Sequence, residues 1–137
     1  AYPVRIRCSD FAAAAASTEP CRLNLFIWSE YIDPEIVASF EKEFSCKVTI
    51  DLYEDNESMM SKLQGGGTAL YDIVVPGQYL IPVMAKLGLL AELRHENIPN
   101  LANLDEKFVN PVYDPGNRYS AAYQWGTVGI YLRKKAG

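Results

Sequence analysis

The chain has 137 residues and a mass of 15.3 kDa, enough to bury one ordinary core, so a single domain or one lobe of something larger is expected. A hydrophobic fraction of 49% and a charged fraction of 22% exclude a disordered tail. The net charge of -4 and the pI of about 5.0 argue against a nucleic-acid footprint and leave room for a cationic ligand.

The first twenty-one residues contain "DFAAAAASTEP", whose small, low-information composition reads as a leader or tether with poor order. No apolar run reaches the length of a bilayer span. The three cysteines, Cys8, Cys21 and Cys46, form no C-x-x-C, and His95 is the one histidine. Neither a zinc site nor a complete disulfide framework is therefore supported, although one pair is free to form in an oxidising compartment. Cys46 reads as a small buried hydrophobe between a helix and a strand.

From Arg22 the pattern turns regular. "RLNLFIW" is a nearly continuous apolar run, as suits a parallel strand covered on both faces. Asp33 is placed to cap a helix with Pro34 in its first turn. Along that helix Ile36, Val37, Phe40 and Phe44 share one face, while Glu35, Glu41 and Lys42 point away. "KVTIDLY" is a second strand rich in β-branched residues, and "NESMMSKLQ" a second helix stopped by Gly65, Gly66 and Gly67. "YDIVVP" gives a third strand and "YLIPVMAKLG" a third helix ending at Gly88. This alternation predicts a doubly wound α/β sheet, mostly parallel and flanked by helices. Beyond Gly88, "LLAEL" reads as a short strand, the next stretch as loop, and "YSAAYQWGTVGIYL" returns to strand-like composition.

Ligands of open α/β sheets sit beyond the carboxyl ends of the strands. Two segments fall there. Trp28, Ser29, Glu30 and Tyr31 follow the first strand, and Gln78 and Tyr79 follow the third. Aromatic faces, a carboxylate, hydroxyls and an amide suit an organic cation with an apolar stem, each cation-aromatic contact contributing roughly 0.5–2 kcal/mol. The competing expectation is that Trp28 and Tyr31 pack on the first helix as core.

The segments "LNLFIWSEYIDPEIVASFEKEFSCKVTIDLYEDNESMMSKL", "YDIVVPGQYLIPVMAKLGLLAEL", "IPNLANLDEKF" and "YSAAYQWGTVGI" resemble, in order and spacing, the amino-terminal portion of the periplasmic spermidine/putrescine-binding proteins of bacterial polyamine ABC importers. The resemblance runs from Leu23 to about Leu132. It implies a type II periplasmic-binding-protein lobe, with residues 22–137 as an incomplete amino-terminal lobe and the second lobe outside these residues. It also implies a periplasmic or membrane-tethered extracytoplasmic location, a polyamine ligand, a membrane permease as partner, no cofactor and no catalysis. Carried over, the family's ligand-flanking segment falls on Trp28, Ser29, Glu30 and Tyr31, and its Val-Pro-Ser-x-Tyr segment on Val75 to Tyr79. Gly77 stands where that segment has serine, so Gln78 or a backbone group is expected to take over the lost hydroxyl's role. Trp125, Gly126 and Ile130 match the approach to the interlobe crossing, which makes Trp125 hinge packing. An open wall of this kind predicts weak ligand binding by the chain alone and exposed apolar surface near Ile130 and Leu132.

Other motifs carry less. "GGGT" lacks the Gly-Lys-Ser/Thr of a phosphate loop and reads as a helix stop. "YEDNE" lacks EF-hand spacing, so helix capping by Asp55 or Asn56 is expected in place of calcium. Met59 and Met60 are expected at a core seam, His95 as a solvated side chain, and "RKK" as a solvated turn. A receptor for another organic cation or a metal complex is the alternative within the fold. A carboxylate-dependent hydrolase using Glu30 and Asp33 is disfavoured, because Asp33 is committed to capping and no second acid is expected at a neighbouring strand end.

Overall fold

The computed structural model describes residues 20–126 and 129–130. Expectations for the leader before residue 20, for Cys8, for Leu132 and for "RKK" lie outside the described residues. Three parallel strands carry the fold: β1 (Cys21–Trp28), β2 (Cys46–Tyr53) and β3 (Ile73–Val74), in the order β2-β1-β3. Helix α1 (Pro34–Phe44) joins β1 to β2, α2 (Asn56–Gln64) joins β2 to β3, and α3 (Ile81–Lys86) follows a short 3-10 turn at Gln78–Leu80. Right-handed crossovers in opposite directions put α1 and α2 on opposite faces of the sheet. The doubly wound arrangement expected from the alternation is the one observed.

Register explains which face each residue serves. β1 pairs along its whole length with β2, from Cys21 opposite Cys46 to Trp28 opposite Tyr53. Alternation then sends Phe26 and Tyr53 toward α2, where they meet Met59, Leu63 and Met84 in the buried core. The ring of Phe26 stacks on Tyr71 at 4.3 Å and meets the edge of Tyr53 at 4.8 Å. Leu25 and Ile27, also buried, face the other way. The expectation for Met59 holds, and Met60 packs against the same cluster half-buried.

The helix boundaries follow from their caps. Asp33 accepts from the Glu35 amide at 2.8 Å with Pro34 in the first turn, and Asp55 accepts from the Ser58 amide at 2.7 Å. α2 stops at the glycines, where Gly66 adopts a φ of 104°. Two expectations change on the surface of α1. Its apolar residues are not fully buried: Val37 and Phe40 are half-buried, whereas Ile36 is 61% exposed. Glu41, expected to point away, instead accepts from the Val48 amide at 2.8 Å and meets Lys47 at 2.9 Å. It thereby caps an outward N–H of the edge strand, and the Val48 amide, then Lys47, hold its carboxyl below the usual range.

Cys46 is buried as expected, but not as a free thiol: it is bonded to Cys21. The partners are first in their strands and directly opposite in register, so the strand begins one residue earlier than the composition suggested. β3 is shorter than "YDIVVP" implied. Only Ile73 and Val74 form the ladder, flanked by the Asp72 amide donating to the Asn24 carbonyl and the Val75 amide to the Phe26 carbonyl. Asp72 also accepts from the Asn24 amide at 2.7 Å.

After α3 the chain runs in 3-10 turns and irregular backbone. "LLAEL" and the described part of "YSAAYQWGTVGIYL" form no strand and join neither edge of the sheet. Buried Asp114 organises this region by accepting from the amides of Arg118, Tyr119 and Ser120 and from the Ser120 hydroxyl. His95, expected to be solvated, donates from Nε2 to the Asn117 carbonyl at 2.8 Å. Ile130 is 92% exposed, as expected of that region.

Two stability predictions follow from these contacts. The disulfide closes a separation of 25 residues, so replacing both Cys21 and Cys46 by serine is expected to lower stability by about 3 kcal/mol in urea unfolding. An unchanged midpoint would show that the bond constrains nothing. Separately, Asp51 is bound by Lys62 at 2.8 Å and by the Tyr71 hydroxyl, and these two donors, Lys62 first, hold its carboxyl below the usual range. Asp51 in turn, with Tyr71, raises the ammonium pKa of Lys62. A lowered carboxyl contributes stability above its unfolded pKa and loses it as pH falls through the folded value. Asp51→Asn should therefore flatten the acid limb of a stability-against-pH curve, and an unaltered limb would contradict the assignment.

Candidate functional site

The carboxyl ends of the strands are gathered at one backbone atom. The Val75 carbonyl, just past β3, accepts from the Trp28 indole Nε1 at 3.0 Å and from the Tyr53 hydroxyl. Trp28 ends β1 and Tyr53 ends β2, so a single acceptor ties three strand ends together. Burial, then the neighbouring Tyr31, pushes the Tyr53 phenol up, which keeps it a donor across the physiological range. The rings of Trp28 and Tyr53 lie 4.8 Å apart and those of Trp28 and Tyr31 6.1 Å apart.

Beside this junction lies an open cavity of about 780 Å³. Its lining comes from both faces of the sheet, with Leu25 and Ile27 from one and Leu63 and Tyr71 from the other, and is largely apolar. Among the six residues singled out beforehand, Trp28, Tyr31 and Gln78 line it. Ser29, Glu30 and Tyr79 do not. The Ser29 hydroxyl donates to Glu54 at 2.9 Å. Glu30 is exposed on a turn at φ 59°, a conformation costing a non-glycine residue roughly 1 kcal/mol. Tyr79 is 61% exposed, and its hydroxyl accepts from Asn56 Nδ2 at 2.7 Å.

Trp28 combines both roles weighed for it: half-buried against the core, it still offers surface to the cavity. Tyr31, 40% exposed, packs on Trp28 and not on a closed α1 core. Sequence reading missed several residues. Tyr123 donates from its hydroxyl to the Tyr31 carbonyl at 2.7 Å and Gln124 from Nε2 to the same oxygen at 3.2 Å, so the segment after Ser120 is tied to the turn after β1. Trp125 also lines the cavity, with the Lys107 ammonium 4.4 Å from its ring and the Phe108 ring at 6.2 Å. Glu54 corrects the expectation that no second acid stands at a neighbouring strand end, since it directly follows Tyr53 of β2. Among the described residues no acidic, cysteine and histidine cluster could hold a metal ion.

A parallel sheet flanked by helices, with a cavity at the strand ends, is the architecture of part of a periplasmic binding protein, and the solved structures it matches cover only part of their chains. One is a putative spermidine/putrescine ABC transporter from Listeria monocytogenes, with a TM-score of 0.68 and 40% identity, covering 72% of this chain and 30% of that one. Another is the TpPotD lipoprotein of Treponema pallidum, with a TM-score of 0.69 and 32% identity over 75% of this chain and 32% of that one. By sequence, the chain is similar to spermidine/putrescine-binding periplasmic proteins. It is 35% identical over 124 residues to that of Salmonella typhimurium, covering 90% of this chain and 36% of the relative. It is 36% identical over 118 residues to that of Escherichia coli, covering 86% and 34%. A putrescine-binding periplasmic protein of Pseudomonas aeruginosa is 36% identical over 121 residues, covering 87% and 33%. The chain thus spans about a third of the length of these relatives. No family model matches it.

The shared Val75 acceptor can be tested directly. Trp28→Phe and Tyr53→Phe should each remove one hydrogen bond and lower stability by about 1 kcal/mol. The double variant should cost more than the sum, because the carbonyl then loses both donors. Additive losses in urea unfolding would mean that the two donors do not act through one acceptor.

Proposed function

We propose that this chain is the polyamine-facing part of an extracytoplasmic solute-binding protein that captures spermidine or putrescine for uptake through an ABC transporter. The observation that carries the reading is the coincidence of the sequence relatives with the aromatic junction at the strand ends. Trp28 and Tyr31 offer faces that attract ammonium groups and stack on methylenes. Glu30 and Glu54 flank the same strand ends outside the cavity lining and make the surroundings of the crevice negative, which favours a cation. Gln78 adds an amide at the corner after β3. The Cys21–Cys46 bond fits an oxidising compartment such as the periplasm. The membrane permease is part of this proposal through the transport context of the relatives.

A binding role accounts for the groups better than catalysis does. Asp33 is spent on capping α1, and an oxygen of Glu54 is engaged by the Ser29 hydroxyl.

The crevice residues stand on one open wall. Solvent-exposed cation contacts fall to about 0.5–1 kcal/mol each. A few of them barely offset the cost of fixing a flexible polyamine. The 137 residues are therefore expected to bind spermidine only in the millimolar range, which corresponds to about -4 kcal/mol. Equilibrium dialysis against labelled spermidine, with sodium ion and arginine as controls, measures this. Saturable binding that prefers polyamines to the controls supports the reading, and turnover of the ligand or equal response to every cation sinks it.

A further inference from the structure

We infer that Asn56 is a positioning residue that seats Tyr79 against Gly77, outside the crevice, so that the corner after β3 presents Gln78 and not Tyr79 to a ligand. The ligand half of this inference rests on the polyamine reading above; the seat itself does not. Asn56 opens α2, immediately after the capping Asp55. Its Oδ1 accepts from the Gly77 amide at 3.2 Å, and its Nδ2 donates to the Tyr79 hydroxyl at 2.7 Å. One amide thus holds both ends of the short turn that carries Gln78 between them. That turn is closed by the Leu80 amide donating to the Gly77 carbonyl at 3.0 Å.

The glycine completes the seat. At φ -61° and ψ 140°, Gly77 has a backbone that any residue adopts, so the position does not require glycine for its conformation. What requires it is space. A Cβ there would lie 2.8 Å from Cε1 of Tyr79, 3.3 Å from its Cδ1 and 3.2 Å from Asn56 Nδ2. The tyrosine ring occupies the volume that a side chain at 77 would need, and the Asn56 amide fixes it there. With a serine or alanine at 77 the ring must shift, since a Cβ 2.8 Å from its Cε1 is closer than van der Waals contact allows. Position 77 therefore acts on the site through the rotamer of Tyr79 as well as through a lost hydroxyl. Gln78, between the two anchored residues, lines the cavity, whereas Tyr79 does not.

The test uses the isotope-labelled 137-residue chain and nuclear magnetic resonance. Wild type should show contacts between the Tyr79 ring and the Gly77 α-protons. Asn56→Leu and Gly77→Ala should both abolish them with the far-ultraviolet circular dichroism unchanged. Asn56→Asp should retain them, because a carboxylate accepts from both the Gly77 amide and the Tyr79 hydroxyl. Added spermidine should shift the Gln78 side-chain amide while leaving the Tyr79 ring resonances in place. Absence of the ring contacts in wild type, their survival in Asn56→Leu, or a spermidine shift at Tyr79 as large as at Gln78 would overturn the inference. If spermidine moves no crevice resonance, Trp28 included, the polyamine reading and the ligand half fail together, and the seat is judged on the ring contacts alone.

Discussion

The Val75 carbonyl is the atom on which the candidate site depends. It accepts from Trp28 at the end of β1 and from Tyr53 at the end of β2, and it belongs to the residue that leaves β3. Adjacent strands in a twisted sheet are rotated relative to one another, and a shared acceptor fixes how their ends meet. Here the clamp is polar and half-buried, where a hydrogen bond is stronger than in water and costly to leave unmade. The aromatic wall of the crevice is therefore positioned by a backbone acceptor and not by packing alone. Everything hung from that wall, including Tyr31 and the segment tied to its carbonyl, inherits the placement.

The strands and helices before Gly88 were legible because local pattern and tertiary demand agree there. The continuous apolar run of β1 is what burial on two faces needs, and Asp33-Pro34 and Asp55 are caps whose partners lie within three residues. Legibility stops where partners are distant. Ser29 and Glu54 are 25 residues apart, and Asn56 and Tyr79 are 23 apart, so no spacing rule links them. The same reason hid the tie from Tyr123 to Tyr31, separated by 92 positions. In the described part of the stretch after Tyr119 the strand-like composition is not matched by a ladder, since β propensity depends on tertiary context. At Cys46 burial was read correctly, and the pairing left open by composition is with Cys21, across the register of two strands.

The site itself was half legible. Fold logic pointed to the strand ends as a candidate, and Trp28, Tyr31 and Gln78 line a common cavity there. The family pattern carried Ser29 and Tyr79 along with them, yet each is engaged by a neighbour that the pattern does not mention. Trp125 likewise lines the cavity besides packing on Phe108, a position that a hinge role alone does not describe. Transfer by motif works for the backbone corner and is less secure for the rotamer, because a rotamer answers to residues elsewhere in the chain.

The brevity of β3 has a kinetic meaning. β1 and β2 pair over eight residues each and are cross-linked at their first positions, whereas β3 contributes two paired residues from 48 positions further along than their partners. The first pairing closes a short loop and is favoured early; the second closes a longer one for little ladder in return. β3 is thus expected to form last and open first, while the β1–β2 pair stays intact. Because the crevice is completed by the residue that leaves β3, its lifetime is that of this least protected strand. A ligand that needs the completed crevice would draw part of its free energy into holding β3 closed, so occupancy and amide protection at Asp72 to Val75 would rise together.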